Sequence, residues 1–212
     1  DGHRITACLI NGGILKERKS VNVPETHMNR SSITDKDRAD IEFLVHDAGV
    51  DWLALSFVGT RHDVEEVRSL VGDKPVRLMS KIERKIAMDN LPEIIEASDA
   101  LMIARGDLGI ELPFEEIPIL AKQIVQLSHM EGKPAVVATQ MLLSMTHSLR
   151  PTRAEASDVV NAVLDRADAL MLSEETADGQ HPVNALQTMV KIVRRAEEFK
   201  YGRPNYFGQF DL

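Results

Sequence analysis

Ser80-Lys81-Ile82-Glu83 and, some twenty positions on, Ala104-Arg105-Gly106-Asp107-Leu108-Gly109 gather the residue types that can hold a divalent metal beside an anionic substrate. Lys81 offers a cation, Glu83 and Asp107 offer hard oxygen ligands, and Gly106 allows close approach to backbone N–H groups. Magnesium is often held by only one or two carboxylates, with substrate oxygens and water completing its shell. Glu83 and Asp107, from neighbouring strands, are therefore the expected metal pair. The Gly106 and Asp107 N–H groups are expected to form an anion-binding nest. Lys81 would then lie over a phosphoryl group, or over an enolate oxygen as its charge develops.

These groups need elements that bring them together. Short apolar runs recur at 52–57, 76–82, 100–104, 135–138 and 169–172, each too short for a helix and mostly continuous. That is the pattern of strands buried on both faces. Helix-period stretches separate them. One opens at Thr34 with Asp37 at cap spacing and runs to His46. Another, over 115–129, repeats Ile117, Leu120, Ile124 and Leu127 and stops at Gly132. Thr152-Arg153-Ala154-Glu155 is a capping box that starts a helix toward Leu164, and 184–198 is again amphipathic. Alternating strands and helices predict a parallel sheet of βα units, an α/β fold. In a (β/α) barrel the residues just after each strand face one rim, where chemistry occurs. Here those residues are Ser56; Lys81 and Glu83; Arg105 and Asp107; Thr139 and Gln140; Ser173 and Glu175. Residues 4–15, with Gly12-Gly13 at the turn, read as a β-hairpin outside this rhythm, and the tail after Tyr201 reads as loop.

Bulk properties exclude several classes. With 212 residues, 43% of them hydrophobic, the chain can bury one sizeable core. Its formal net charge of -8 argues against general nucleic-acid binding. No apolar run approaches the roughly 20 residues that span a membrane, and no signal-peptide pattern opens the chain. A single cysteine, Cys8, rules out an internal disulfide and a cysteine-based zinc site, and fits a cytoplasmic setting. The histidines lack metal-ligand spacing, and His46, His62, His129 and His147 read as surface residues. The glycines form neither a phosphate loop nor a dinucleotide fingerprint. Because Asp1 is not methionine, the chain is expected to be trimmed or part of something longer.

With these motifs in hand, the chain resembles pyruvate kinase. The resemblance is carried by Ser80 to Glu83, MIARGDLGIE at 102–111, GKPAVVATQM at 132–141, RPTRAEASDVVNAVLD at 150–165 and MLSEETA at 171–177, in the family's order. It implies a TIM (β/α)8-type barrel, of which this chain would hold about five βα units. It also implies phosphoryl transfer from phosphoenolpyruvate to ADP, giving pyruvate and ATP in glycolysis, with Mg2+ and K+. By the same resemblance Glu83 and Asp107 match the magnesium ligands, and Lys81 the lysine that steadies the transferring phosphoryl group. Gly106 and Asp107 match the N–H groups that hold the substrate carboxylate, and Thr139 the threonine tied to enolate protonation. Ser56, Arg105, Ser173 and Glu175 stand at strand ends near the site. Residues 1–24 would be the end of an inserted β-barrel-like domain, 25–200 the barrel part and 201–212 a C-terminal tail. The first three barrel strands, with the usual K+ ligands and part of the nucleotide site, would lie elsewhere. The family is typically tetrameric, so a homo-oligomer, or complementation by the missing strands, is expected.

The chain departs from the family pattern at the rim. Arg84 and Ile86-Ala87 stand where Asn and then Glu-Gly are usual, and Gly59 where arginine is usual after the first strand. Glu174 replaces the glycine of Ser-Gly-Glu-Thr, and Arg166 the glycine that usually follows Leu-Asp. Gly59 and Glu174 together make the rim more negative, which weakens the expected hold on phosphate groups. Two other functions fit the same residues. One is a non-catalytic subunit or binding module; the other is a magnesium-dependent lyase or decarboxylase acting through a pyruvate enolate.

Overall fold

The computed structural model describes residues 33–202, together with 6–8, 10–13 and 17. The expected hairpin at 4–15, the expected domain 1–24 and the tail after Gly202 therefore lie largely or wholly outside the described residues.

Five strands form one parallel sheet in chain order: β1 (Trp52–Leu55), β2 (Arg77–Ile82), β3 (Ala100–Ala104), β4 (Ala135–Ala138) and β5 (Ala169–Met171). Each strand pairs with the one before it, with Leu55 beside Ser80, Lys81 beside Met102, Ala104 beside Ala138 and Ala138 beside Met171. Their C-terminal ends consequently share one edge. Helices return the chain between them: α1 (Asp35–Phe43), α2 (Arg61–Val71), α3 (Lys85–Asp89), α4 (Leu91–Ala97), α5 (Arg105–Glu111), α6 (Ile117–Met130), α7 (Arg153–Leu164), α8 (Glu174–Ala177) and α9 (Pro182–Tyr201). A π-helical turn at Leu44–Ala48 extends α1, and a 3-10 turn at Leu143–Thr146 precedes α7.

The caps read in the sequence are present. Thr34 and Asp37 box α1, and Thr152 and Glu155 box α7. A third box, Thr60 with Asp63, starts α2, which the apolar runs alone had not marked. α6 buries Ile117, Ala121, Ile124, Val125 and Ser128, the spacing of one helical face. α9 runs beyond the expected 184–198 at both ends, because Pro182 suits a first helical turn.

Strand side chains divide by parity, as alternation demands. Leu53, Leu55, Leu78, Ile82, Leu101, Ile103, Ala135 and Val137 join the helices in the main core. Met102, Val136 and Ala138, with Met79 and Met171 against them, form a small cluster on the other face. β3 and β4 are buried throughout, as predicted. β1, β2 and β5 are not: Ala54, Arg77 and Ala169 are exposed, and Met79 and Lys81 are half-buried. β1 and β5 are the edges of the sheet among the described residues, each with a neighbouring strand on one side alone.

Candidate active site

The predicted rim residues follow the C-terminal ends of the strands, Glu175 turned inward, and the structure joins them in three sets. At the ends of β1 and β2, Lys81 Nζ donates to Ser56 Oγ at 3.0 Å and lies 2.5 Å from Glu83 Oε1. Glu83 is 2% exposed, and its Oε2 accepts the Phe57 N–H at 2.8 Å. Burying a carboxylate is costly unless it is paired or hydrogen-bonded, and here Lys81 and Phe57 N–H supply the partners. Phe57 itself sits at φ 59, a left-handed conformation that turns its N–H toward Glu83.

At the ends of β3 and β4, Gly106 N–H donates to Thr139 Oγ1 at 2.8 Å, and the Thr139 hydroxyl donates to Ala138 O at 2.7 Å. This differs from the open nest expected of the sequence: the Gly106 N–H already has an acceptor. Asp107 lies in the first turn of α5, where N–H groups have no intrahelical acceptor. Its carboxylate makes no hydrogen bond or ion pair with the described residues. A Cβ at position 106 would stand 3.3 Å from Thr139 Oγ1, so glycine here allows the close approach. Thr139 and Gln140 hold φ 66 and φ 53. Consecutive non-glycine residues in this region each cost on the order of 1–3 kcal/mol, more readily paid at functional sites than elsewhere.

Arg105 braces that turn. Its Nη2 donates to Thr139 O at 2.9 Å and lies 2.8 Å from Met141 Sδ, while Nη1 pairs with Asp158 at 2.7 Å. Its Nε is buried without a partner among the described residues. Arg105 therefore faces protein rather than solvent. Asp158 was not singled out from the sequence; it lies three residues after Glu155, midway along α7, and no local residue pattern marks it.

The third set joins β5 to the loop after β4. Glu175 is fully buried and accepts Leu142 N–H and Ser173 N–H, each at 2.9 Å. Predicted as a rim residue, it lies beneath the rim. Ser173 Oγ donates to Glu174 at 2.7 Å, and this bond holds the exposed Glu174 carboxyl below the usual range. Burial works against ionisation of Glu155, but Ser144 and Thr152 outweigh it and keep its carboxyl low.

Three of the departures in sequence meet one another. A Cβ on Gly59 would lie 3.1 Å from Ile86 Cγ2 and 3.8 Å from Arg84 Nη1. The absence of a side chain at 59 thus makes room for the residues at 84 and 86. Arg84 also lies 3.8 Å from Glu111.

Glu83 and Asp107 suit magnesium chemically. Both are hard donors, Asp107 has no partner among the described residues, and each Glu83 oxygen keeps a lone pair beyond its present contact. No group of three or more His, Cys, Asp or Glu side chains that could hold a metal occurs among the described residues, so water and substrate oxygens would complete the shell. At the opposite end of the sheet a cleft of about 530 Å³ is lined by His129, Lys133, Arg166, Asp168, Glu197 and Tyr201 among others. His129, read as a surface residue, is partly covered there and bonds Asp168 at 2.8 Å. None of the predicted rim residues lines that cleft.

Comparison with known proteins agrees with the motifs. Residues 1–186 match the family model described as pyruvate kinase, barrel domain. A pyruvate kinase of Agrobacterium vitis is 49% identical over 201 residues, covering 95% of this chain and 41% of its own length. One from Geobacillus stearothermophilus is 49% identical, covering 92% of this chain and 33% of its own length. One from Thermococcus litoralis is 45% identical, covering 93% and 42%. The chain thus spans between a third and about two-fifths of these relatives. No helix among the described residues is long and apolar enough to cross a membrane.

Proposed function

The chain belongs to the pyruvate kinase family, and we propose that its rim carries phosphoryl transfer from phosphoenolpyruvate to ADP, a cytoplasmic reaction of glycolysis. The observation that carries this reading is the Lys81 ammonium, held between Ser56 and buried Glu83 at the strand edge that also bears Asp107.

In this reading the bond between phosphorus and the enol oxygen breaks, and an oxygen of the ADP β-phosphate bonds to phosphorus. The enol oxygen keeps the electron pair, and the resulting enolate takes a proton at carbon to give pyruvate. Lys81 supports the transferring phosphoryl group, its position set by Ser56 and Glu83. Glu83 and Asp107 would hold Mg2+, which when bound neutralises charge on the phosphoryl and enolate oxygens. The Asp107 and Gly106 N–H groups receive the substrate carboxylate. For Gly106 this means exchanging the Thr139 hydroxyl for a carboxylate oxygen, which frees that hydroxyl beside the enolate carbon. Nucleotide and K+ contacts come from parts of the barrel other than these strands. The two one-sided sheet edges support closure of the barrel by further strands, from the same polypeptide or another copy, and hence an oligomeric assembly.

The test is pyruvate release from phosphoenolpyruvate and ADP with Mg2+ and K+, coupled to lactate dehydrogenase, for the intact protein and Lys81→Met. Turnover that the substitution abolishes is the expected result. A folded protein with no turnover and no Mg2+-dependent binding of oxalate, an enolate mimic, would overturn the reading. A monodisperse, cooperatively melting monomer of these 212 residues alone would count against barrel completion.

A further inference from the structure

We propose that Glu175 is a positioning residue that holds Thr139 in its left-handed conformation, so that it governs proton delivery to the enolate without touching substrate; this rests on the phosphoryl-transfer reading above. Glu175 is 0% exposed, and each of its carboxylate oxygens is taken by one backbone N–H. One N–H belongs to Leu142, three residues after Thr139, and the other to Ser173, just past β5. The carboxylate is therefore a clamp between two rim loops.

What the clamp restrains is visible in the backbone. Thr139 and Gln140 are both left-handed, and a β-branched residue rarely adopts that conformation. Such a conformation persists only where its surroundings over-determine it. Arg105 fixes the start of the turn through Thr139 O. Met141, Leu142 and Met145 anchor its far side in the core, each 0% exposed. Glu175 fixes the Leu142 N–H that ends it. Without the clamp that N–H is buried and unsatisfied, and the turn gains by relaxing toward solvent or another acceptor. Thr139 Oγ1 would then leave its 2.8 Å contact with Gly106 N–H. A carboxylate suits this role because it accepts from both loops at once, whereas an amide offers one oxygen and opposes its N–H₂ to the other donor.

The experiment compares Glu175→Gln with Asp168→Asn in the intact protein. Both replace a carboxylate that accepts a backbone N–H, so both lower the melting temperature. Glu175→Gln is expected to lower kcat roughly ten- to a hundredfold with KM for phosphoenolpyruvate little changed, and to shift the Thr139 methyl resonance. Asp168→Asn should change neither kcat nor that resonance. Should Glu175→Gln not fold, Glu175→Asp, which keeps the charge and withdraws it by one methylene, is read in the same way. A lowered melting temperature with kcat and the Thr139 methyl unmoved would reduce Glu175 to a structural residue and overturn the proposal. If the unmodified protein shows no turnover, the phosphoryl-transfer reading fails. The Thr139 methyl would still report whether the clamp exists, but a positioning role in this reaction would be overturned with it.

Discussion

At the N-terminal ends of the strands, two aspartates repeat one device. Asp99, just before β3, donates its N–H to Leu78 O at 2.8 Å and accepts Leu78 N–H at 2.8 Å. Asp168, just before β5, does the same with Ala135, at 2.9 and 2.8 Å. Each is paired from a helix, Asp99 with Arg68 at 3.0 Å and Asp168 with His129 at 2.8 Å. The C-terminal ends carry the same residue types in another arrangement. Among the described residues Asp107 has no hydrogen-bond or ion-pair partner and Arg105 Nε has none, and Phe57, Thr139 and Gln140 are left-handed. One end closes its strand-end aspartates on the next strand, with Ser128 Oγ the exception that is buried there without a partner among the described residues, and the other holds its polar groups strained or open. Strain and unsatisfied groups cost stability, and a fold retains them where function requires them.

The comparison breaks if removing a carboxylate has the same consequence at both ends. Glu83→Gln keeps an acceptor for Phe57 N–H and leaves Lys81 bonded to Ser56. It should lower pyruvate formation per folded molecule by roughly a hundred- to a thousandfold, as loss of a charge-stabilising group does, and it lowers the melting temperature as well, because the amide N–H₂ faces the Lys81 ammonium. Asp99→Ala leaves Leu78 N–H, at a strand residue with 0% exposure, without its acceptor. It should cost about 1–3 kcal/mol in urea unfolding while kcat per folded molecule stays the same. Equal losses of activity from both substitutions would mean that the two ends do not divide the work.

Acid titration sharpens the contrast. Burial works against ionisation of Asp99, and Leu78 N–H and Arg68 outweigh it, so its carboxyl lies below the ordinary 3.8. Burial likewise opposes ionisation of Asp168, and Ala135 N–H and His129 outweigh it. A carboxyl depressed in the native state stabilises it above the unfolded value, and that contribution disappears as pH falls through the native value. Stability should therefore fall as pH drops below about 4. Asp99→Asn together with Asp168→Asn should flatten that slope in urea unfolding followed down to about pH 3. Part of it remains, because Glu155 at the other end is also held low. An unchanged slope in the double variant would show that the clasps contribute nothing through their charge.

Much of this division was legible in the sequence, for definite reasons. Strand–helix alternation and the Thr34 and Thr152 capping boxes rest on local residue type, so four of the five strands kept the predicted ends to within a residue and both boxes formed. The placement of Lys81, Glu83 and Asp107 at one edge was legible because each closes or follows directly on an apolar run. Exposure of the edge strands was not, since it depends on what covers the sheet rather than on the strands themselves. Gly106 looked open because sequence cannot show that Thr139, on another strand, turns its hydroxyl onto that N–H. Glu175 looked like a rim residue because the two N–H groups that draw it inward belong to loops rather than to any side-chain pattern.

Arg166 runs against the contrast, and so tests it at its weakest point. It follows α7 at the stable end of the sheet and yet holds φ 74, its N–H donating to Val163 O at 3.0 Å. A residue just past a helix C-terminus is commonly left-handed, and glycine adopts that conformation without a Cβ penalty. The resemblance places glycine at this position, so the strain follows from the substitution rather than from the turn. Arg166→Gly should relieve roughly 1 kcal/mol of strain, less the extra chain freedom that glycine gives the unfolded state. The net expectation is a gain of about 0.5 kcal/mol in urea unfolding, with pyruvate formation unchanged. A loss of stability would mean that the arginine returns more than its strain costs. The source would be the cleft it shares with Asp168 and Glu197, where a guanidinium stands among two carboxylates. Strain at the N-terminal end would then be offset by local charge, and strain alone would no longer mark the end of the sheet where chemistry takes place.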